Sequence, residues 1–286
     1  MTARSGPASG RTLRIAHLFP DLLSVYGDSG NVRTLVVRAE RRHIAVTVTR
    51  VLGDAEAMPS ADVILVGGGQ DRDQVQVERA LLRIGDGVVR EVAAGAALLA
   101  VCGGYQSLGR SYTNGQGRTV HGPALFDVTT EAGDERLVGP VVGTLLEPGF
   151  DAARSTVVGF ENHSGRTILG PGARALARIE VGHGNNDIDG LEGVLRAPGE
   201  DGLRGLRIGT YLHGPLLPRN PHVADLLIAS ALAKDGQPGD LEPLDDDDEW
   251  RAHDEFARQA LESPWPHRLP HRLRRLVEPA RNLVGF

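Results

Sequence analysis

A single cysteine stands in this chain of 286 residues, and its neighbours are the ones a nucleophile needs. Cys102 ends the apolar run AALLAV and is followed by Gly103, Gly104, Tyr105 and Gln106, where the spacing turns helical. A strand that turns at once into a helix lifts the residue at the turn out of the sheet, and small neighbours permit so sharp a turn. The helix that begins there aims its N-terminal amides and positive dipole end at the sulfur, which favours thiolate. Local sequence leaves two readings open, a catalytic thiol or a buried cysteine serving as a small hydrophobe.

A thiolate nucleophile also needs a base and a place for the oxyanion. The loop VGGGQD (66–71) follows the apolar run ADVIL. Its glycines, Gly67, Gly68 and Gly69, can bring backbone N–H groups close to a ligand. Among ten histidines, His213 in TYLHGP ends a strand and His163 in FENHSG is the runner-up as base. His43 follows a charged helix, and His253, His267 and His271 lie in the C-terminal stretch.

The elements that must position these residues read as an α/β fold. LRIAHLF (13–19), IAVTVTRV (44–51), ADVILVGGG (61–69) and AALLAV are strands. Helices are expected from about Asn31 to Arg42, capped by Asp28 or Ser29, and over 71–94. Continuous apolar strands alternating with helices predict a mainly parallel sheet flanked by helices. In such a sheet the loops at the carboxyl ends of adjacent strands converge on one crevice. From about Gly117 to Leu206, short strand candidates (PALFDVTT, GPVVGTLLE, TVVGFEN, ALARIEV, GVLRA) alternate with turn residues and predict additional antiparallel hairpins. RIGTYLHGPLL is a further strand, and NPHVADLLIASALAKDG is a helix with Asn220 as its cap.

Composition sets the class. Hydrophobic residues make up 41% and charged residues 24%, with a net charge of −6, which suits a soluble globular protein and gives no general reason to expect nucleic-acid binding. One cysteine excludes an internal disulfide and suits a reducing cytoplasm. No run is long and apolar enough for a membrane span, and residues 1–12 read as a disordered start without a signal peptide. Residues 13–235 form the expected main domain and 236–286 a charged extension. The segment 240–262 holds ten acids against Arg251 and Arg258, and 265–286 holds five arginines against Glu278. Such an acid-then-base block reads as a solvated appendage with some helix, able to dock on the body or on a partner. There is no GxxxxGK[ST] phosphate loop and no metal-ligand cluster.

Together, LFPDLLSVYGDSGNV, VCGGYQSLG, GFENHSGRT, GHGNNDIDGLEGV and GTYLHGPLLPRNP resemble the class I glutamine amidotransferases of the cobyric-acid-synthase-like branch. Within that branch they resemble the glutaminase subunits of lipid II isoglutaminyl synthases. The resemblance runs from about Leu13 to Lys234. It implies a flavodoxin-like domain that hydrolyses L-glutamine, with Cys102 as nucleophile and His213 as base. It implies an oxyanion held by the 67–69 loop (Gly68, Gly69) and Gly103, and substrate gripped by Arg136 and Gln106. For Arg136, in GDERLVG, a solvated hairpin arginine stays the alternative.

One departure bears on mechanism. Many class I amidotransferases carry a glutamate two residues after the histidine, whereas here Gly214 and Pro215 follow His213. The orienting carboxylate must come from elsewhere in this chain, with Glu161 a candidate, or from a partner, and the resemblance implies a MurT-like Mur-ligase subunit in a heterodimer. No cofactor is expected in this chain, with ATP and metal on the partner, and work at the inner face of the membrane on a lipid-linked substrate. The loops YGDSGN (with Asp28 and Asn31) and FENHSG fit the crevice, the partner interface or plain structured turns. Competing readings are a corrinoid-synthesis amidotransferase and a binding module with a vestigial cysteine.

Overall fold

The continuous apolar runs become the centre of one sheet. In the computed structural model, which describes residues 12–23, 27–69, 73–147, 154–234 and 239–263, β1 (Thr12–Leu18) is followed by α1 (Ser29–Arg41) and β2 (Ala45–Val51). Then come β3 (Val63–Val66), α2 (Gln74–Ala93), β4 (Ala97–Val101) and the short α3 (Gly103–Ser107). The expectations for residues 1–11 and for the basic block after Ser263 lie outside the described residues.

Every residue of β3 and β4 is buried, as strands covered on both faces require. The alternating β2 is the exposed edge. Two later strands complete this sheet, β11 (Val194–Arg196) and β12 (Arg207–Thr210), giving the order β11-β12-β4-β3-β1-β2. All neighbours are parallel except β11 against β12. The loops after β3, β4 and β12 therefore leave the same sheet edge.

The antiparallel region is less fragmented than its sequence suggests. After β5 (Ser111–Thr113) and β6 (Thr119–His121), two of the expected short strands fuse into β7 (Val128–Leu145). Its long partner is β8 (Thr156–Leu169), and β9 (Ala177–Val181) and β10 (Leu191–Glu192) extend this second sheet. Gly133, which stands between two of those strand candidates like a turn residue, instead falls in an irregularity where the register shifts between Ala132 and Leu137. Glycine in a long strand commonly marks such a bulge.

After β12 the chain enters α4 (Leu216–Arg219), α5 (Pro221–Ala233) and α6 (Asp247–Glu262). The buried face of α5, including Val223, Leu227 and Ile228, joins the main core. Asn220 makes no side-chain cap on α5. Its amide oxygen accepts the Val158 N–H at 3.0 Å, and its NH2 donates to the carbonyls of Val158 and Leu216. The acidic block is docked on the body. Arg38 of α1 forms paired hydrogen bonds with Asp225 and with Asp246, all at 2.7–2.8 Å. Ala260 of α6 packs with Val142, Val158 and Val181 of the second sheet.

Candidate active site

Cys102 has φ 49° and ψ −107°, a conformation that costs a non-glycine residue on the order of 1–3 kcal/mol and that gathers at functional sites. The surroundings fix it. Its N–H donates to the Thr210 carbonyl at 2.8 Å and its own carbonyl accepts the Gln106 N–H at 2.9 Å. The turn is as tight as the glycines suggest: a Cβ on Gly104 would lie 2.7 Å from Val66 Cγ1.

His213, the expected base, arrives on the neighbouring strand. Three residues after Thr210, His213 forms an isolated antiparallel bridge with Phe160 of β8, through hydrogen bonds of 2.8 and 3.2 Å. One glycine position locates it relative to the thiol. A Cβ on Gly68 would lie 2.5 Å from His213 Cε1 and 3.2 Å from Cys102 Cβ. Cysteine, histidine and glycine loop thus meet at one point with no space for a further side chain. Burial, then the charges of His163 and Arg136, push the His213 pKa down to about 3. Its imidazole is neutral at neutral pH, the form a general base needs.

The loop amides are not equivalent. Gly68 N–H donates to Asp28 Oδ2 at 2.7 Å, so it is engaged away from the sulfur. A Cβ on Gly103 would lie 3.4 Å from the Gly69 nitrogen, which places the Gly69 amide beside the residue that follows Cys102.

Arg136 lies in the irregular stretch of β7, exposed, donating from Nε and Nη2 to the side-chain and backbone oxygens of Asn162 at 3.0 Å. It is near enough for its charge to depress His213. Gln106 is buried, and its amide donates to the Tyr211 hydroxyl at 3.2 Å.

Glu161 is placed elsewhere than beside His213. Its carboxylate accepts the N–H groups of His183 (2.7 Å) and Gly184 (2.8 Å), and it faces His163 at 3.7 Å. The pleat accounts for this: His213 pairs with Phe160, and the next side chain along β8 points to the other face. His163 donates from Nδ1 to the Gly165 carbonyl at 2.8 Å and stacks on Tyr211, ring centroids 3.6 Å apart. Burial lowers its pKa against the opposing pull of Glu161. Asn31 Oδ1 accepts the Leu217 N–H at 2.8 Å, behind the histidine turn.

Sequence reasoning passed over Glu192. Fully buried, it accepts the Thr210 hydroxyl at 2.6 Å and the Tyr211 N–H at 2.8 Å. Burial raises its pKa to about 7 despite those hydrogen bonds. The only signal available was an acid inside the apolar-flanked LEGV segment. Among the described residues, no group of three or more His, Cys, Asp or Glu side chains is arranged to hold a metal ion, and no helix is long and apolar enough to cross a membrane.

Comparison with known proteins adds an independent line. The family model of the CobB/CobQ-like glutamine amidotransferase domain matches residues 14–221. The lipid II isoglutaminyl synthase (glutamine-hydrolyzing) subunit GatD of Staphylococcus aureus is 35% identical over 242 residues, 84% of this chain and 93% of that protein. The subunit of the same name from Streptococcus pneumoniae is 34% identical, covering 78% of this chain and 81% of that protein. A cobyric acid synthase of Pelotomaculum thermopropionicum is 31% identical over 58% of this chain but 32% of its own length.

Proposed function

The chain belongs to the CobB/CobQ-like glutamine amidotransferase family, and on that footing we propose that it is the glutaminase subunit of a lipid II isoglutaminyl synthase. The carrying observation is the single glycine position, Gly68, set against both Cys102 and His213. It is supported by similarity to two GatD subunits over most of both chains.

In this reading Cys102 Sγ attacks the side-chain amide carbon of L-glutamine while His213 takes the thiol proton. Negative charge moves to the amide oxygen, where N–H groups of Gly69 and Gly103 receive it. Collapse of the tetrahedral species breaks the C–N bond. The leaving nitrogen takes the proton from His213 and departs as ammonia, leaving a glutamyl thioester. Water, giving its proton to His213, then cleaves the thioester to glutamate and restores the thiol. Arg136 grips the α-carboxylate of the substrate, a task for which a planar guanidinium is suited by its paired donors. Gln106 borders the substrate from α3.

The imidazole lacks an orienting acid from its own loop, and Glu161 is committed to His163 and two backbone amides. The resemblance points to the partner as the source of the third acid, a MurT-like Mur-ligase subunit forming a heterodimer with this chain. The partner binds ATP and metal and activates the D-glutamate α-carboxyl of the lipid II stem peptide, and ammonia displaces phosphate to give D-isoglutamine. That work takes place in the cytoplasm, at the inner face of the membrane.

The test is reconstitution of the complex with lipid II, ATP and glutamine. Cys102→Ala should abolish glutamine-driven amidation and retain ammonia-driven amidation. Diazo-oxo-norleucine should label Cys102 in the complex and far more slowly in the isolated chain. Absence of labelling in the complex refutes the glutaminase reading, and equal labelling with and without the partner refutes the donated acid.

A further inference from the structure

The glycine loop is clamped by a carboxylate that plays no part in the chemistry above. The peptide between Gly67 and Gly68 is held at both ends: the Gly67 carbonyl accepts the Gly104 N–H at 3.1 Å, and the Gly68 N–H donates to Asp28 Oδ2 at 2.7 Å. Asp28 stands at the N-terminus of α1 yet makes no side-chain cap on that helix. It is 3% exposed. A Cβ on Gly67 would lie 2.8 Å from its Oδ2, so the carboxylate rests directly on the loop backbone. Three residues later, Asn31 holds the Leu217 N–H beyond the histidine turn, and Gly30 between them abuts the Pro215 ring. The first turn of α1 therefore grips the glycine loop with one side chain and the histidine loop with another.

We propose that Asp28 is the positioning residue of the oxyanion site: by accepting the Gly68 N–H it withdraws that donor and turns the next peptide, so that Gly69 N–H joins Gly103 N–H at the oxyanion. The proposal rests on the glutaminase reading. Three consecutive glycines have the widest backbone freedom a chain can have, whereas an oxyanion donor stabilises charge only if it is oriented before the charge develops. A carboxylate acceptor is the strongest anchor a side chain can offer a backbone N–H. Burial raises the Asp28 pKa to about 6 against the opposing Gly68 hydrogen bond. The fold thus keeps a costly buried acid at a position that is otherwise an ordinary helix start.

The experiment measures glutamine hydrolysis by the reconstituted complex carrying the wild-type chain, Asp28→Ala or Asp28→Asn. It is run beside alkylation of Cys102 by iodoacetamide, a displacement that builds no oxyanion. Asp28→Ala is expected to lower kcat by about 10- to 100-fold, short of the roughly 100- to 1,000-fold loss on removing an oxyanion donor outright. KM and the alkylation rate should each stay within about threefold. Asp28→Asn keeps an oxygen acceptor and should recover most of kcat. A merely structural role would slow alkylation and raise KM alongside. If the alanine chain does not fold, the asparagine chain decides: kcat within about fivefold of wild type supports the proposal, and a loss as large as that expected of alanine refutes it. Wild-type kcat in Asp28→Ala also refutes it, whereas an inactive wild-type complex refutes the glutaminase reading instead.

Discussion

Replacing Glu192 with glutamine should stabilise this protein in mild alkali and leave it unchanged in mild acid. The folded carboxyl has its pKa raised from 4.5 to about 7, burial being the main cause. The native state therefore holds a proton that the unfolded chain has already released between those values, and stability falls as pH rises through the window. With one pKa unit equivalent to about 1.4 kcal/mol, the full shift amounts to about 3–4 kcal/mol, of which about 2–3 kcal/mol falls between about pH 5 and about pH 8. Glu192→Gln retains an oxygen for the Thr210 hydroxyl and the Tyr211 N–H. Its amide NH2 replaces the buried Oε2, which has no hydrogen-bond partner among the described residues, much as the protonated acid presents an O–H there. Urea unfolding of both chains at the two pH values gives the double difference, in which the titrating groups that do not interact with Glu192 cancel. About 2–3 kcal/mol in favour of the variant at the higher pH is expected. A double difference below about 1 kcal/mol would show that Glu192 ionises without penalty and would refute the argument from burial.

Two further outcomes follow from the geometry. Gly68→Ala places a methyl 2.5 Å from His213 Cε1; since displacing a reacting group by about 1 Å can cost about 100-fold, glutamine hydrolysis by the complex should fall by that order with an unchanged circular dichroism spectrum, and activity within about threefold of wild type overturns the placement. Arg38→Ala leaves Asp246 without this cation, while Asp225 keeps Arg42; breaking a buried ion pair typically costs about 3–5 kcal/mol, reduced here to about 2 kcal/mol because Arg42 remains and both acids keep some contact with solvent, and urea unfolding together with faster proteolysis of α6 checks it.

Much of this was legible in the chain. Uninterrupted apolar runs announced β3 and β4, and their shared direction brought Gly67–Gly69, Cys102 and His213 to one edge without any long-range information. What stayed hidden depends on distant pairings. The stretch 131–138 read as a turn between two strands, yet pairing with β8 carries one strand through it with a register shift between Ala132 and Leu137. The acids after Asp240 looked solvated because Arg38 and Arg41, which pair with Asp246 and Glu249, and Arg42, which donates to the Glu242 carbonyl, lie about two hundred residues earlier. Asp28 looked like a helix cap, since nothing near it in sequence reveals the Gly68 amide. Glu161 looked available to His213 until the bridge to Phe160 fixed which face it takes.

That bridge has a mechanical consequence. The nucleophile and the glycine loop grow from the inner parallel sheet, while Arg136 and the strand that props His213 belong to the outer ribbon of β7 and β8. The crevice is therefore a seam between two sheets rather than a pocket within one. A small slip along it changes how firmly substrate and base are held while the thiol stays where the elbow put it. The ribbon also carries α6 on its surface, so a load applied far from the sulfur has a direct route to the half of the site to which the proposed function gives grip and deprotonation.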